Sequence, residues 1–396
     1  MSTVLRGVNE RLAPFGTSIF AEMTRLATAH GAINLAQGFP DFDGPDHVKD
    51  AAVEAIRAGH GQYAPMPGIS SLRQALATIH RVQTGIACDP DTMVTVTAGC
   101  TEAIAAAILG LAGPGDEVVL FEPYYDSYRA CVALAGATAR VVTLRSPDFT
   151  FDEAELRAAF GPRTRLVLVN SPHNPTGRVL SRAELGVIAD LCVKHGAIAL
   201  ADEVYEHLVY EPERTPMVRL AALPGMDERT LTLSSLGKTF SLTGWKIGWA
   251  IGPAALSSAV RAAHQFLTFA VSTPMQHAAV AALGSPASYY TELVREYRRK
   301  RDLLTGALSE IGFDVRAPEG SYFVYADHTP ISRRLGLADD VALCRYMIER
   351  HGVAAIPPTA FYENKSEGAK LVRFAFCKRD ETLRGAVERL RGLAMQ

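Results

Sequence analysis

Between residues 94 and 251 the chain alternates short apolar runs with longer stretches of helical periodicity. The runs 94–97, 117–121, 140–144, 165–170, 197–201, 230–233 and 248–251 are mostly bounded by Gly, Pro, Asn or Asp, the residues that punctuate strands. Between several of them, as in 101–111, 154–159 and 182–195, apolar positions recur at helical spacing. This alternation predicts an α/β fold with a mostly parallel central sheet and helices on both faces. Ligands of such sheets bind beyond the carboxyl ends of the strands. The residues that close the runs are therefore the first to read for chemistry.

The flanks read differently. The first forty-five residues form a helix and then a loop that ends in Pro40 and Pro45. The last hundred hold a long charged helix over 288–311, short strands near 322–325 and 371–376, and a closing helix after Asp380. The expected organisation is an N-terminal arm (1–45), a large domain (46–289) and a small C-terminal domain (290–396), with the arm and the C-terminal part forming one smaller α+β lobe. At 396 residues the chain is long enough for two lobes.

Composition narrows the function. The chain is 48% hydrophobic and 21% charged, as soluble globular proteins are. A net charge of −2 with both signs interspersed implies no broad basic face, so neither nucleic acid nor an anionic membrane is an expected partner. The opening 1–6 lacks the apolar core of a leader, and no window reaches the roughly eighteen apolar residues of a membrane span. Cys88, Cys100, Cys131, Cys192, Cys344 and Cys377 are scattered, with no CxxC pair. They read as reduced thiols, no metal site is expected, and the expected location is cytoplasmic.

Lys238 is the most informative residue. It follows the run 230–233 and sits among small, hydroxylic and glycine residues in Leu233-Ser234-Ser235-Leu236-Gly237-Lys238-Thr239-Phe240-Ser241. Desolvation there lowers an amine pKa and makes it a nucleophile suited to a Schiff base with an aldehyde cofactor. Ser235 and Lys246 offer the hydroxyl and second cation that a cofactor phosphate needs. Asp202 closes the run 197–201, where a buried carboxylate requires a cation. A protonated pyridine nitrogen would be that partner, with Tyr205 in reach of the same ring. Asn174 lies between prolines in Ser171-Pro172-His173-Asn174-Pro175, which fixes the local backbone, and His173 reads as a neighbour one step removed. The turn Thr97-Ala98-Gly99-Cys100-Thr101 opens an alanine-rich helix whose free amides favour a dianion. Tyr125, with Tyr124 as rival, offers a flat face for stacking. Arg373, mid-strand in Leu371-Val372-Arg373-Phe374, needs an anion such as a substrate carboxylate.

The Lys238 segment, with Asp202, Asn174 and Arg373 in order, resembles the class I/II aminotransferases, the fold-type-I enzymes that use pyridoxal 5'-phosphate. The resemblance runs from about residue 15 to 382. The phrases Asn34-Leu35-Ala36-Gln37-Gly38-Phe39-Pro40, Asp202-Glu203-Val204-Tyr205-Glu206-His207 and Gly352-Val353-Ala354-Ala355-Ile356-Pro357 are similar to the branch holding kynurenine, glutamine and methionine aminotransferases and bacterial N-succinyldiaminopimelate aminotransferases. The resemblance implies a three-layer fold and a ping-pong transfer from an L-amino acid to a 2-oxo acid. Lys238 would be both anchor and base. Asn174 and Tyr205 would meet the ring's phenolic oxygen, and Arg373 with the backbone of Gly38 would hold the α-carboxylate. It further implies a homodimer with shared sites, in which Tyr63 reaches the partner's phosphate and Phe20 and Phe269 line the side-chain pocket. Many relatives carry arginine where this chain has Lys246, which keeps the charge but not the bidentate fork. Aromatic pocket residues suit methionine, glutamine, aromatic or kynurenine-like donors. A cysteine-conjugate β-lyase would use the same residues, and succinylated diaminopimelate stays open as a substrate. An aminotransferase-like module of a transcription regulator would need a DNA-binding segment ahead of the resemblance, where only about fifteen residues stand.

Overall fold

The computed structural model describes residue 7, residues 9–15 and residues 19–394. The opening stretch 1–6, read above for a leader, lies outside the described residues. The strands are β1 (Ile33–Asn34), β2 (Val94–Ala98), β3 (Glu117–Glu122), β4 (Thr138–Thr143), β5 (Thr164–Asn170), β6 (Ile198–Asp202), β7 (Thr230–Ser235), β8 (Ile247–Ile251), β9 (Asp314–Val315), β10 (Phe323–Asp327), β11 (Val353–Ala354) and β12 (Leu371–Ala375). The helices, up to the long one that follows the main sheet, are α1 (Ile19–Ala29), α2 (Asp46–Arg57), α3 (Ser70–Thr84), α4 (Gly99–Leu111), α5 (Asp126–Ala135), α6 (Glu153–Ala159), α7 (Arg182–His195), α8 (Leu236–Thr239), α9 (Ala254–Leu267), α10 (Thr273–Leu283) and α11 (Ala287–Ile311).

Seven strands form the main sheet in the order β2-β8-β7-β6-β5-β3-β4. Six are mutually parallel, and β8 runs antiparallel to both of its neighbours. Every residue of β3, β6, β7 and β8 is buried, because helices cover both faces. That explains why these strands read as continuous apolar runs rather than alternating ones. α4 is rich in alanine and glycine because it lies between the sheet and α9. A Cβ on Gly110 would come within 2.3 Å of the Ala259 carbonyl oxygen.

The exception in strand direction matters for the site. The parallel strands β2, β5, β6 and β7 end at Ala98, Asn170, Asp202 and Ser235, all on one edge of the sheet. Because β8 is reversed, it starts at that edge, so Lys246, just before it, arrives beside the other strand ends. β8 can sit there only because Gly248 has no side chain. A Cβ on it would lie 2.4 Å from the Gly99 carbonyl carbon and 2.5 Å from the Cys100 nitrogen.

A smaller antiparallel sheet, β12-β10-β9, carries Arg373 and packs over that edge. The parallel pair of β1 with β11 joins the N-terminal segment to this part of the chain. The loop after β1 then crosses the site. It is held by Ala375 N–H donating to Leu35 O at 2.8 Å, Tyr322 Oη donating to Gly38 O at 2.6 Å and Lys378 Nζ donating to Phe39 O at 2.7 Å. Among the described residues no helix is long and apolar enough to cross a membrane.

Gly248→Ala is expected to lower the free energy of unfolding by about 2 kcal/mol or more, since the added methyl meets backbone that cannot step aside. Urea unfolding of the purified variant reads this. A variant within about 0.5 kcal/mol of the parent would show that the contact between β8 and α4 is not tight.

Candidate active site

The strand ends enclose a cavity of about 320 Å³. It is lined by residues that the sequence scatters from Phe20 to Arg373. Gly38, Gly99, Cys100, Thr101, Tyr125, Asn174, Asp202, Tyr205, Ser235, Lys238 and Lys246 all reach its wall.

Lys238 sits on α8, a single turn that follows β7 directly. Its amine lies 3.4 Å from Gly38 O, 5.9 Å from the Tyr205 ring centre and 5.6 Å from that of Tyr322. Burial pushes its pKa below the ordinary lysine value, and the nearby Lys246 acts in the same direction. In the same cavity, Asp202 ends β6. Its Oδ2 accepts from Tyr128 Oη at 2.5 Å, and its Oδ1 accepts from Val204 N–H at 3.2 Å and from the Cys100 thiol at 3.4 Å. No salt bridge to Asp202 forms among the described residues, and burial raises its pKa against the effect of these donors.

Arg373 is the complementary case. Only 1% of its surface is exposed, and no carboxylate meets it among the described residues. One guanidinium nitrogen donates to Ala36 O at 2.9 Å and another to Asn174 Oδ1 at 3.3 Å, while Nε has no partner. The rings of Phe323, Phe361 and Phe20 surround it at 4.3, 5.0 and 5.2 Å. Such contacts attract a cation but do not neutralise it. A buried guanidinium in this state has capacity for an anion.

The turn before α4 combines free helix amides with two cationic or hydroxylic side chains. Gly99 has φ +75°, a conformation glycine adopts readily, and a Cβ on it would lie 3.1 Å from Lys246 Nζ. Lys246 Nζ stands 3.5 Å from Thr101 Oγ1. This cradle fits a phosphate, and the buried Asp202 fits a protonated ring nitrogen. The residues present thus suit a flat, phosphorylated cationic ring. Tyr125 faces the cavity, edge-on to Tyr128 at 5.7 Å, whereas Tyr124 is buried outside it.

Other predicted residues lie elsewhere. Tyr63 is 83% exposed and Phe269 is 41% exposed; they meet each other at 5.3 Å, away from this chain's cavity. His173 is also outside it, buried and bonded to Thr176 Oγ1 at 2.8 Å, with burial pushing its pKa down to about 3. Sequence reasoning missed Tyr128, Tyr322 and Phe323. Tyr128 lies one helical turn after Tyr125, so the i, i+3 spacing was the available signal.

A nucleophilic amine facing a buried carboxylate, with a phosphate cradle and an acid-free arginine, defines a class of enzyme, and the comparisons agree with it. The description aminotransferase class I and II matches residues 30–390, and the chain belongs to that family. It is a transaminase of the fold-type-I architecture. A probable N-succinyldiaminopimelate aminotransferase of Mycobacterium tuberculosis is 49% identical over 395 residues, covering 97% of this chain and 98% of the relative. Methionine aminotransferase of Escherichia coli K12 is 41% identical over 383 residues, 97% of each chain. The solved N-succinyldiaminopimelate aminotransferase from Mycobacterium tuberculosis superposes with a TM-score of 0.93 at 48% identity, covering 98% of this chain and 100% of that one.

Lys238→Met is expected to raise the melting temperature of the cofactor-free protein. A lysine whose folded pKa is depressed binds fewer protons folded than unfolded, so its penalty is largest at low pH. The penalty disappears as pH passes the unfolded value of about 10.4. The gain should therefore be larger at pH 7 than at pH 10, read by calorimetry at both. An equal gain at the two pH values would place the effect in packing rather than charge.

Proposed function

We propose that the cavity holds pyridoxal 5'-phosphate anchored on Lys238, and that the enzyme moves the amino group of an L-amino acid with an uncharged side chain to a 2-oxo acid. Methionine, glutamine, aromatic and kynurenine-like donors form this class. The carrying observation is the charge inventory of the cavity. Its basic residues are Lys238, Lys246 and Arg373, and its acidic ones are Asp126 and Asp202. Once cofactor and α-carboxylate are served, no base of this chain's cavity is left for a second carboxylate.

The bound cofactor supplies a cationic ring that withdraws electrons from the substrate Cα. The protein does the rest. Asp202 keeps the proton on the ring nitrogen. The amides of Gly99, Cys100 and Thr101, with Ser235 and Lys246, receive the phosphate. Tyr125 would offer its face to the ring, and Asn174 and Tyr205 would donate to its oxygen. Arg373, with Gly38, orients the α-carboxylate, and Phe20 forms part of the side-chain wall. Once the substrate's amino group has taken its place as anchor, the freed Lys238 amine, its pKa lowered by burial, would act as the base that moves the substrate Cα proton. The two half-reactions share one site, giving ping-pong kinetics.

A second reading, N-succinyldiaminopimelate as substrate, is favoured by the 49% identity to the mycobacterial relative. An amino-donor panel with 2-oxo acid acceptors separates the two. The first reading expects kcat/KM for methionine or glutamine to exceed that for N-succinyldiaminopimelate by at least about tenfold; the reverse order establishes the second. In the same preparation, borohydride should fix the cofactor to Lys238 by peptide mapping. A label on any other lysine removes the assigned anchor.

We also propose a two-fold homodimer with shared sites. Exposed Tyr63, Phe266, Leu267 and Phe269 support it, since large apolar side chains grouped on a surface mark an interface. Tyr63 would reach the partner's phosphate and Phe269 the partner's substrate pocket. Buried thiols at Cys100, Cys131, Cys192, Cys344 and Cys377, none in a disulfide, support a cytoplasmic setting. Mixed dimers of Tyr63→Ala and Lys238→Ala chains should regain activity through one intact site each. Confirmed heterodimers no more active than the separate variants would keep Tyr63 out of the partner's site.

A further inference from the structure

Tyr128 and Cys100 have side chains that the reading above leaves without a task. Tyr128 comes from α5 and Cys100 from the first turn of α4, yet both point at one carboxylate. The phenol donates to Asp202 Oδ2 at 2.5 Å and the thiol to Oδ1 at 3.4 Å, with the Val204 amide also on Oδ1 at 3.2 Å. Both side chains are more than nine-tenths buried. The carboxylate cannot turn without breaking one of these bonds, so its plane is set before any ligand arrives.

Both groups are donors only. Burial first, and the adjacent carboxylate second, push the Tyr128 phenol and the Cys100 thiol well above their ordinary pKa values, so each keeps its proton. The other ionisable groups around Asp202 are Lys238, Lys246, Tyr125 and Tyr205; Lys238 is the one whose charge lowers its pKa directly. Asn170 bonds the Asp202 main-chain oxygen, not the carboxylate, at 2.9 Å. Hydrogen bonds to a carboxylate stabilise its charged form and reduce its basicity, the more so out of water.

We infer that Tyr128 and Cys100 are positioning residues that fix the plane of Asp202 and lower its basicity, so that a proton shared with a cofactor ring nitrogen stays on the nitrogen. The inference rests on the proposed cofactor. Its chemical content is a proton balance between two sites. A more basic carboxylate would take the proton and leave the ring neutral, and a neutral ring draws electrons poorly.

The test uses holoenzyme reconstituted with pyridoxal phosphate labelled with ¹⁵N in the ring, and reads the nitrogen chemical shift. Tyr128→Phe keeps the ring packing and removes only the donor. It should move the shift toward the unprotonated form and lower kcat about ten- to a hundredfold, the worth of one hydrogen bond to a charged group. KM for the amino donor should change by less than about twofold, because Arg373 is untouched. Cys100→Ala should move the shift in the same direction by less, and Cys100→Ser, which retains a donor, should move it less than Cys100→Ala does. Cys100→Ala carries the same test if Tyr128→Phe does not fold. A parental ¹⁵N shift in both Tyr128→Phe and Cys100→Ala overturns the inference, and a lowered melting temperature alongside that shift assigns the two residues to packing. Failure of the parent enzyme to bind the labelled cofactor at Lys238 is a separate result, and it removes the proposed function together with this inference.

Discussion

An ionised group taken out of water must be met by an opposite charge or by hydrogen bonds, and this site is organised around two that are met only in part. Arg373 has amide and carbonyl acceptors and three aromatic rings, but no carboxylate. Asp202 has a phenol, a thiol and an amide, but no contacting cation. They stand on different sheets and do not pair. Pairing them would have been the simplest way to remove the penalty, and it would have closed the site. Kept apart, they leave the cavity complementary to a ligand set that brings one cation and one anion. The surrounding core makes this sustainable, because strands buried on both faces hold the two side chains in place.

The second constraint is steric. The start of β8 touches the first turn of α4 at Gly248, where a Cβ would run into backbone, and near Gly99, whose positive φ disfavours any other residue. Lys246 is left in a left-handed backbone conformation, with φ +56°, immediately before that contact. Its amine therefore returns over Gly99 and beside Thr101. The charge at the cradle is thus set by backbone packing between two elements far apart in the chain.

Much of this was legible in the sequence. Each apolar run between 94 and 251 became a strand with ends displaced by no more than two residues, since doubly covered strands must be apolar throughout. Asp202 could be read because it closes such a run with a charge whose burial needs a reason, Lys238 because it follows one among small and hydroxylic residues, and Asn174 because prolines flank it. Other features had no comparable signature. The reversal of β8 is a property of its neighbours, and its sequence resembles that of the parallel strands. Tyr128 is an ordinary aromatic on an amphipathic helix until Asp202 is beside it. The two-residue strands β1 and β11 are too short for any period to show. For Tyr63 and Phe269, sequence supplied a resemblance and the single chain supplies two exposed rings.

The loop over the site is made early and anchored late. Gly38, Phe39 and Asp41 leave the ribosome before the strands of the main sheet that follow them. Their partners are Tyr322, Lys378 and the Arg379 amide, near the other end of the chain. β1 likewise waits for β11. In between, the chain can complete the main sheet, with Asp202, Lys238 and Lys246 gathered at one edge, before Arg373 has been synthesised. Vectorial synthesis favours such an order, since earlier segments fold as units while later ones are still absent. The cover of the site is then the last part to close, and a nascent chain passes through a stage in which its lysine and carboxylate are assembled but open to water.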